Sequence, residues 1–275
     1  MSPLLLALGA SLAWGVADFV GPLFSRTLGI LRVLFWGQIG GVLAIGLAVA
    51  IRGEGPAGWS VLFAICASVG GMLGLVAYYR GMEIGVMSVV APIAGVSAVI
   101  PVVFGIATGD SPSHAQIAGI VCALLGVGLA SVEHSGGRRR IAAGVGLALL
   151  AALGFGFYFP WMHAAGKVDF WWASLIFRTT ALLIVAAAVA ARRPALRLGP
   201  RDLAIVVAVG IGDTIGNALF AASSGHGLVS LTAVLASLYP VVTVLLAAAV
   251  LRERVAPMQR AGIVLTLTGI ALIAV

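Results

Sequence analysis

The stretch PMQRAGIVLTLTGIALIAV, Pro257 to Val275, is a near copy of an earlier one, and that likeness decides the fold. With Gln116 laid on Gln259 the two segments run in register to Val132 and Val275. They match at Ala118/Ala261, Gly119/Gly262, Ile120/Ile263, Val121/Val264, Leu124/Leu267, Gly126/Gly269 and Leu129/Leu272. The copies stand 143 residues apart in a chain of 275, so each half is one structural unit, and such self-similarity takes precedence over any local assignment. Other features recur at about this offset: Gln38 falls opposite Arg178, and Gly85 to Ala91 echoes Gly227 to Ala233. The halves are residues 1–134 and 141–275, joined by a basic Gly-Gly-Arg-Arg-Arg turn within 135–140.

Composition names the solvent. The chain is 61% hydrophobic and only 9% charged, with a mean hydropathy of +1.16. A water-soluble domain has nowhere to hide so much apolar surface, whereas a bilayer requires no hiding. Cut at charged residues and at Gly/Pro breaks, the sequence yields ten apolar stretches. Each is about 20 residues, enough to cross ~30 Å of hydrocarbon as a helix. They run Leu4–Phe24, Leu31–Ile51, Gly58–Tyr79, Val86–Ala107, Ala115–Val132, Ile141–Met162, Phe170–Ala191, Leu203–Ala222, Val229–Leu251 and Pro257–Val275. Continuous apolar runs read as helices, because the strands of a membrane barrel alternate. Five spans per half is an odd number, so the second copy enters the membrane upside down. The fold expected is an all-α integral membrane protein of ten transmembrane helices, arranged as two inverted-topology five-helix repeats.

The net charge of +7 does not point to nucleic acid, because the basic residues sit in short loops and form no continuous groove. They report orientation instead. Loops after spans 1, 3, 5, 7 and 9 hold thirteen arginines, against Arg52 and Lys167 on the other side. The rule that positive loops stay inside then puts the Arg-rich loops in the cytoplasm and both termini outside. No cleavable signal is expected at the N-terminus, which has no basic residue ahead of its apolar run. Cys66 and Cys122 lie within spans with no ligand-spaced Cys or His, and read as packing thiols.

The ending Leu251-Arg252-Glu253-Arg254, followed by Gln259, Gly262 and Gly269, has a weaker twin in Gly109-Asp110, Gln116, Gly119 and Gly126. Together with Ala13-Trp14-Gly15, Arg178 and Tyr239-Pro240, this pattern resembles the EamA family of the drug/metabolite transporter superfamily. The resemblance covers the whole chain. It implies a transporter in the cell membrane whose cavity is lined by spans 1 to 4 and 6 to 9, with spans 5 and 10 at the periphery. Its members move amino acids, other small metabolites or drugs, and many export them. One departure is that the first half has Gln38 where the second has Arg178, so charge at that position is one-sided.

Polar residues inside spans are the candidate site. Ser11, Trp14, Asp18, Pro22 and Ser25 recur every three or four residues and share one helical face. Asp18 on that face reads as a proton-coupling group or a partner for a substrate amine, or else as a carboxylate paired with Arg26 or Arg32 near the headgroups. Arg178 and Asp213 lie at similar depth on either side of the loop joining spans 7 and 8. A charge at the bilayer centre costs ~2.5–3.5 kcal/mol on insertion scales, so two at one depth imply mutual neutralisation or a polar cavity. Architectural pairing and a binding role weigh about equally. Asn217 follows Asp213 by one turn between Gly212 and Gly216, giving a small polar face.

Trp14, Tyr78, Tyr79, Phe155, Phe157, Tyr158, Trp161 and Tyr239 are candidate cavity walls, Tyr158 foremost because the repeat sets it opposite Asp18. Trp59, Trp161, Trp171 and Trp172 stand at span ends, where Trp belongs to the interfacial belt. His163 and His226 read as loop residues at the outer ends of spans. Pro92 and Pro101 in span 4 and Pro240 in span 9 each remove a backbone hydrogen bond, so both fourth spans are expected to kink or unwind beside the cavity. The substrate-binding set expected is therefore Trp14, Asp18, Gln38, Tyr78, Tyr158, Arg178, Asp213, Asn217 and Tyr239. Gly119 with Gly126, and Gly262 with Gly269, each share a helix face suited to close packing of spans 5 and 10.

No Gly-x-Ser-x-Gly, His-Glu-x-x-His or phosphate loop is present, so nothing argues for an enzyme, and no cofactor or metal is expected. A secondary carrier of a small organic molecule is the reading, with a passive channel or an intramembrane enzyme as alternatives. The partners expected are that substrate and the lipid bilayer, with a monomer ahead of an oligomer.

Overall fold

The computed structural model describes residues 2–56, 58–84, 90, 94–130, 138–250 and 257–273. Among them every regular element is a helix: α1 (Pro3–Leu28), α2 (Ile30–Arg52), α3 (Ser60–Ile84), α4 (Val99–Ala107), α5 (His114–Ala130), α6 (Arg138–Arg192), α7 (Pro200–His226), α8 (Val229–Ala236), α9 (Tyr239–Val250) and α10 (Pro257–Ile273). Local chemistry sets the ends. The turn between α1 and α2 is a single residue, Gly29, at φ 88°. Gly53 closes α2 in the left-handed region at φ 72°, its N–H bonding Val49 O. Both positions suit a residue without a Cβ.

Among the described residues five helices are long and apolar enough to cross a membrane, one of them covering 49 residues of α6 from Gly144 to Arg192. Shorter apolar helices stand where the fourth, fifth, ninth and tenth spans are expected. Several boundaries differ from the sequence reading; His226, expected in a loop, is the last residue of α7, its Nδ1 2.8 Å from Ala222 O. The loop expected between Met162 and Phe170 shrinks to Asp169, which alone leaves helical geometry at φ −161°, ψ 105°. The Asp169 carboxylate accepts the N–H groups of Trp171 at 2.9 Å and Trp172 at 3.2 Å, capping the arm that follows. Arg138–Arg140, expected in the connecting turn, already form the start of α6; arginine is a good helix former and no breaker follows Gly137. Residues 135–137, the rest of that turn, lie outside the described residues. His163, expected in a loop, is buried inside the first arm of α6, its ring 6.4 Å from that of Phe104.

The fourth helix of each half is irregular just ahead of a proline. A 3-10 turn at Val96–Ala98 precedes α4, which contains Pro101. The second half breaks at Ser237–Leu238, between α8 and α9, just before Pro240. A proline ring crowds the carbonyl four residues earlier and offers it no N–H, so the disturbance falls on the preceding turn. Pro92 and the segment Gly85–Ala91, apart from Val90, lie outside the described residues, as does Leu251–Arg254.

The halves meet through reciprocal contacts. α3 packs on the first arm of α6 with Gly74 against Gly154, and α7 packs on α1 with Gly216 against Trp14. Trp14 and Gly154 are 140 residues apart, as Gln38 and Arg178 are, so the two contacts are the same one seen from each half. The same exchange occurs between α5 and α10. Gly119 faces Gly269 and Ile273, while Gly126 faces Gly262 and Thr266. Numbers rise on one helix as they fall on the other, so these equivalent helices run antiparallel. Exchange of this kind is what a two-fold axis between two copies produces. Without a hydrophobic drive between helices in lipid, approach this close depends on residues with little or no side chain. A Cβ on Gly119 would lie 2.8 Å from Gly269 O. One on Gly210, where α7 crosses α2, would collide with the Gly37 carbonyl.

Candidate functional site

The space between the two sets of helices is a narrow cavity of about 60 Å³. α1 contributes Trp14 and Asp18, α2 Gln38, α3 Met72 and Leu75, the arms of α6 Tyr158, Phe159, Phe177 and Arg178, α7 Asp213 and Asn217, and α9 Tyr239. α5 and α10 supply none of the described lining and pack mainly on each other.

At its centre stands Arg178, 1% exposed. Its Nη2 donates to Asp213 Oδ2 at 2.5 Å and its Nη1 to Gln38 Oε1 at 3.0 Å. Gln38 in turn donates from Nε2 to Met72 Sδ at 3.6 Å. Gln38 and Arg178 are the repeat-related pair, and here they touch, as residues close to a two-fold axis must. Fully desolvated, a guanidinium persists only with a countercharge and hydrogen-bond acceptors, and Asp213 with Gln38 supplies both. Asn217, one turn on, donates Nδ2 to Asp213 O at 2.8 Å, which ties its amide to the same helix.

Asp18 differs from Asp213. It is 8% exposed, lines both this cavity and an adjoining space reaching Tyr79 and Gly210, and forms no hydrogen bond or ion pair among the described residues. Arg26, the proposed headgroup-side partner, donates instead to Met82 O at 3.3 Å.

The wall around these charges is aromatic. The Tyr158 ring lies 6.0 Å from Trp14, edge to face, and 5.3 Å from both Phe159 and Phe177. The Arg178 guanidinium sits 5.4 Å from the Phe177 ring centroid. Tyr158 and Tyr239 carry buried hydroxyls without a partner among the described residues. Tyr239 is delivered by the break in the second half's fourth helix. Thr243, one turn further, pins the restarted helix to α1 by donating to Gly15 O at 3.2 Å.

Eight of the nine expected binding residues thus share one cavity, and Tyr78 does not. Its side chain is fully buried behind the wall, 5.8 Å from the Phe155 ring, because α3 turns Leu75 and Tyr79 toward open space and Tyr78 toward the first arm of α6. Phe157, also proposed as a wall, is 49% exposed on the outer surface. Met72, Phe159 and Phe177 belong to the lining and were not anticipated. Phe177 carries a sequence signal after all: it precedes an arginine deep within an apolar span, and its counterpart 140 residues earlier is Gly37.

One end of the molecule is tied between halves. Arg52 Nη1 donates to both Asp169 oxygens, at 2.7 and 2.8 Å, and its Nη2 meets Glu54. Trp172 Nε1 donates to Glu54 O at 2.6 Å. The Asp110 carboxylate of the first half accepts the Ser230 N–H at the start of α8 at 2.8 Å.

The comparisons with known proteins agree with this architecture. No curated protein matches the chain. A solved crystal structure superposes with a TM-score of 0.78 over 98% of this chain and 95% of that one, at 18% sequence identity, a likeness of fold alone. The sequence pattern of the EamA-like transporter family matches twice, over residues 1–132 and 142–275. The chain is therefore a multi-pass membrane protein built from two repeats, and it belongs to the EamA-like transporter family.

Proposed function

We propose that this protein is a secondary transporter that carries a small organic molecule, such as an amino acid or a drug, through the cavity between its halves by alternating access. One observation carries the reading: the cavity lies where repeat-related positions meet, and it holds a buried Arg178–Asp213 pair, an unpaired Asp18 and two unpartnered tyrosine hydroxyls. Polar groups buried without partners are costly in a membrane interior, and a bound solute would satisfy them.

In this reading the chain crosses the membrane ten times as two inverted five-helix repeats, with the Arg-rich loops in the cytoplasm, both termini outside, and export as its direction. It works as a monomer. Tyr158, Asn217 and Arg178 bind the substrate, with Asp213 and Asp18 as charge partners. The antiparallel contact of α5 with α10 supports an inverted arrangement, since two such halves can exchange conformations and so open the cavity to each side in turn. The Arg52–Asp169 tie then falls on the outer side and has to part for outward opening.

Purified protein in proteoliposomes tests this with labelled amines, amino acids and neutral aromatic solutes. The expected result is saturable flux with counterflow, lost in Arg178→Ala. Flux that rises linearly with concentration without counterflow would mean a channel, and no flux of any solute would remove the reading altogether.

A further inference from the structure

Resting on the reading of the cavity as a transport site, we infer that its cargo is an organic monocation with a flat apolar body, held by Asp18 against the aromatic wall. The argument begins with the charges that face the cavity. They are Asp18 from α1, Arg178 from α6 and Asp213 from α7; the other lining residues with ionisable side chains are Tyr158 and Tyr239. The terminal nitrogens of Arg178 are committed, one to Asp213 and the other to Gln38, while its buried Nε has no partner among the described residues. What remains is one carboxylate, at least nine-tenths buried, with no hydrogen bond or ion pair among the described residues. An isolated buried carboxylate is relieved of its charge by a proton or by a paired cation, and a cationic ligand can take the proton's place.

The surroundings narrow the class. A hard metal ion requires about six oxygen ligands, and no metal-binding cluster occurs among the described residues. Asp18 is instead accompanied by Trp14, Phe155, Tyr158, Phe159, Phe177 and Tyr239. The faces of such rings attract cations, most strongly for Trp and where water is excluded, which matches a substituted ammonium rather than a bare ion. The unpartnered hydroxyls of Tyr158 and Tyr239 offer acceptors to an N–H or O–H on such a cargo. An anion would find the single Nε–H of Arg178 unless it displaced Asp213, and would lie in one cavity with two carboxylates.

The test uses three solutes that share a benzyl body and differ in charge: benzyltrimethylammonium, N-benzylacetamide and phenylacetate. Binding to the full-length protein in lipid nanodiscs is measured by calorimetry. The cation is expected to bind about tenfold or more tightly than the other two, the scale of one desolvated charge contact. Asp18→Asn should erase that preference and Asp18→Glu should keep it. The inference is overturned if N-benzylacetamide or phenylacetate binds the wild type as tightly as the cation, if none of the three binds, or if Asp18→Asn leaves the cation's affinity unchanged. Should Asp18→Asn fail to fold, the three-solute comparison on the wild type decides. Proteoliposomes separate this inference from the reading it rests on. Saturable counterflow of the amide or phenylacetate without the cation sinks the cation assignment and leaves a carrier. Cation binding at Asp18 with no counterflow of any solute sinks the carrier and leaves the site.

Discussion

Two of the places where the copies meet have fared differently. Along the α5–α10 seam both halves keep the same residues, Gly119 and Gly126 facing Gly269 and Gly262 across the interface. In the cavity the polar positions have diverged: Asp18 stands opposite Tyr158, Gln38 opposite Arg178, and beside them Trp14 opposite Gly154. The seam is backbone against backbone, and any Cβ would have to push a helix away, so one answer serves both copies. The cavity holds water-sized gaps and charges, and a symmetric pair there would be two arginines or two glutamines in contact. Two arginines would repel at close range, and two glutamines would leave Asp213 without a countercharge. Divergence at positions 38 and 178 therefore solves an electrostatic problem that duplication itself created.

The largest effect expected from breaking this contrast comes at Arg178. Arg178→Ala strands the Asp213 carboxylate and should lower stability by about 3 kcal/mol or more, the cost of removing one partner of a buried pair, read as the unfolding midpoint in detergent. The exchange Gln38→Arg with Arg178→Gln moves the charge across the two-fold and should recover part of that loss relative to Arg178→Gln alone. No recovery would mean that Arg178 is held by its own helix rather than by the axis.

The seam should respond next. Gly126→Leu drives a side chain into Thr266 and Gly262 O and is expected to cost ~1–3 kcal/mol, while the protein that remains folded binds ligand as before. Gly128→Leu, with nothing within 4 Å of its Cβ, should stay within about 0.5 kcal/mol in the same unfolding assay. Equal losses at the two glycines would show that helix propensity, not interhelical contact, governs α5.

At the tied end, Asp169→Ala removes both a cap and the Arg52 pair. A loss of about 1 kcal/mol is expected, because Arg52 is partly exposed and screened. The loss should shrink when unfolding is measured in high salt; an unchanged loss would assign it to the cap alone. Smallest of all is Tyr78→Phe. Its hydroxyl lies behind the cavity wall, so ligand affinity should be unaltered, whereas Tyr158→Phe and Tyr239→Phe should each weaken binding by about 1 kcal/mol, the net worth of one hydrogen bond. Loss of affinity in Tyr78→Phe would put that residue back in the site.

Much of this was legible in the sequence, for reasons that particular residues illustrate. Asp18, Arg178 and Asp213 stood out because a charge in an apolar span is costly wherever it sits, so its presence signals a polar environment without any coordinates. Tyr78 was misjudged because adjacent aromatic residues on a helix face different directions, and the facing is set by which neighbour α3 packs against. Phe159 went unnoticed because an apolar residue in an apolar span carries no contrast, and the one mark on Phe177 was its place beside Arg178. Asp169 was read as part of a loop because a cap that replaces a loop depends on the side chain folding back on Trp171 and Trp172.

By itself the sequence determined the membrane setting, the duplication and the list of groups too polar for lipid, since these follow from composition, period and transfer energy along the chain. Only the tertiary structure decided which of those groups satisfy one another. Gln38 and Arg178 are equivalent in sequence, but their contact depends on where the axis between the halves passes. That same packing leaves Asp213 neutralised and Asp18 alone, because pairing is a matter of distances between helices, and no pattern along a single helix contains them.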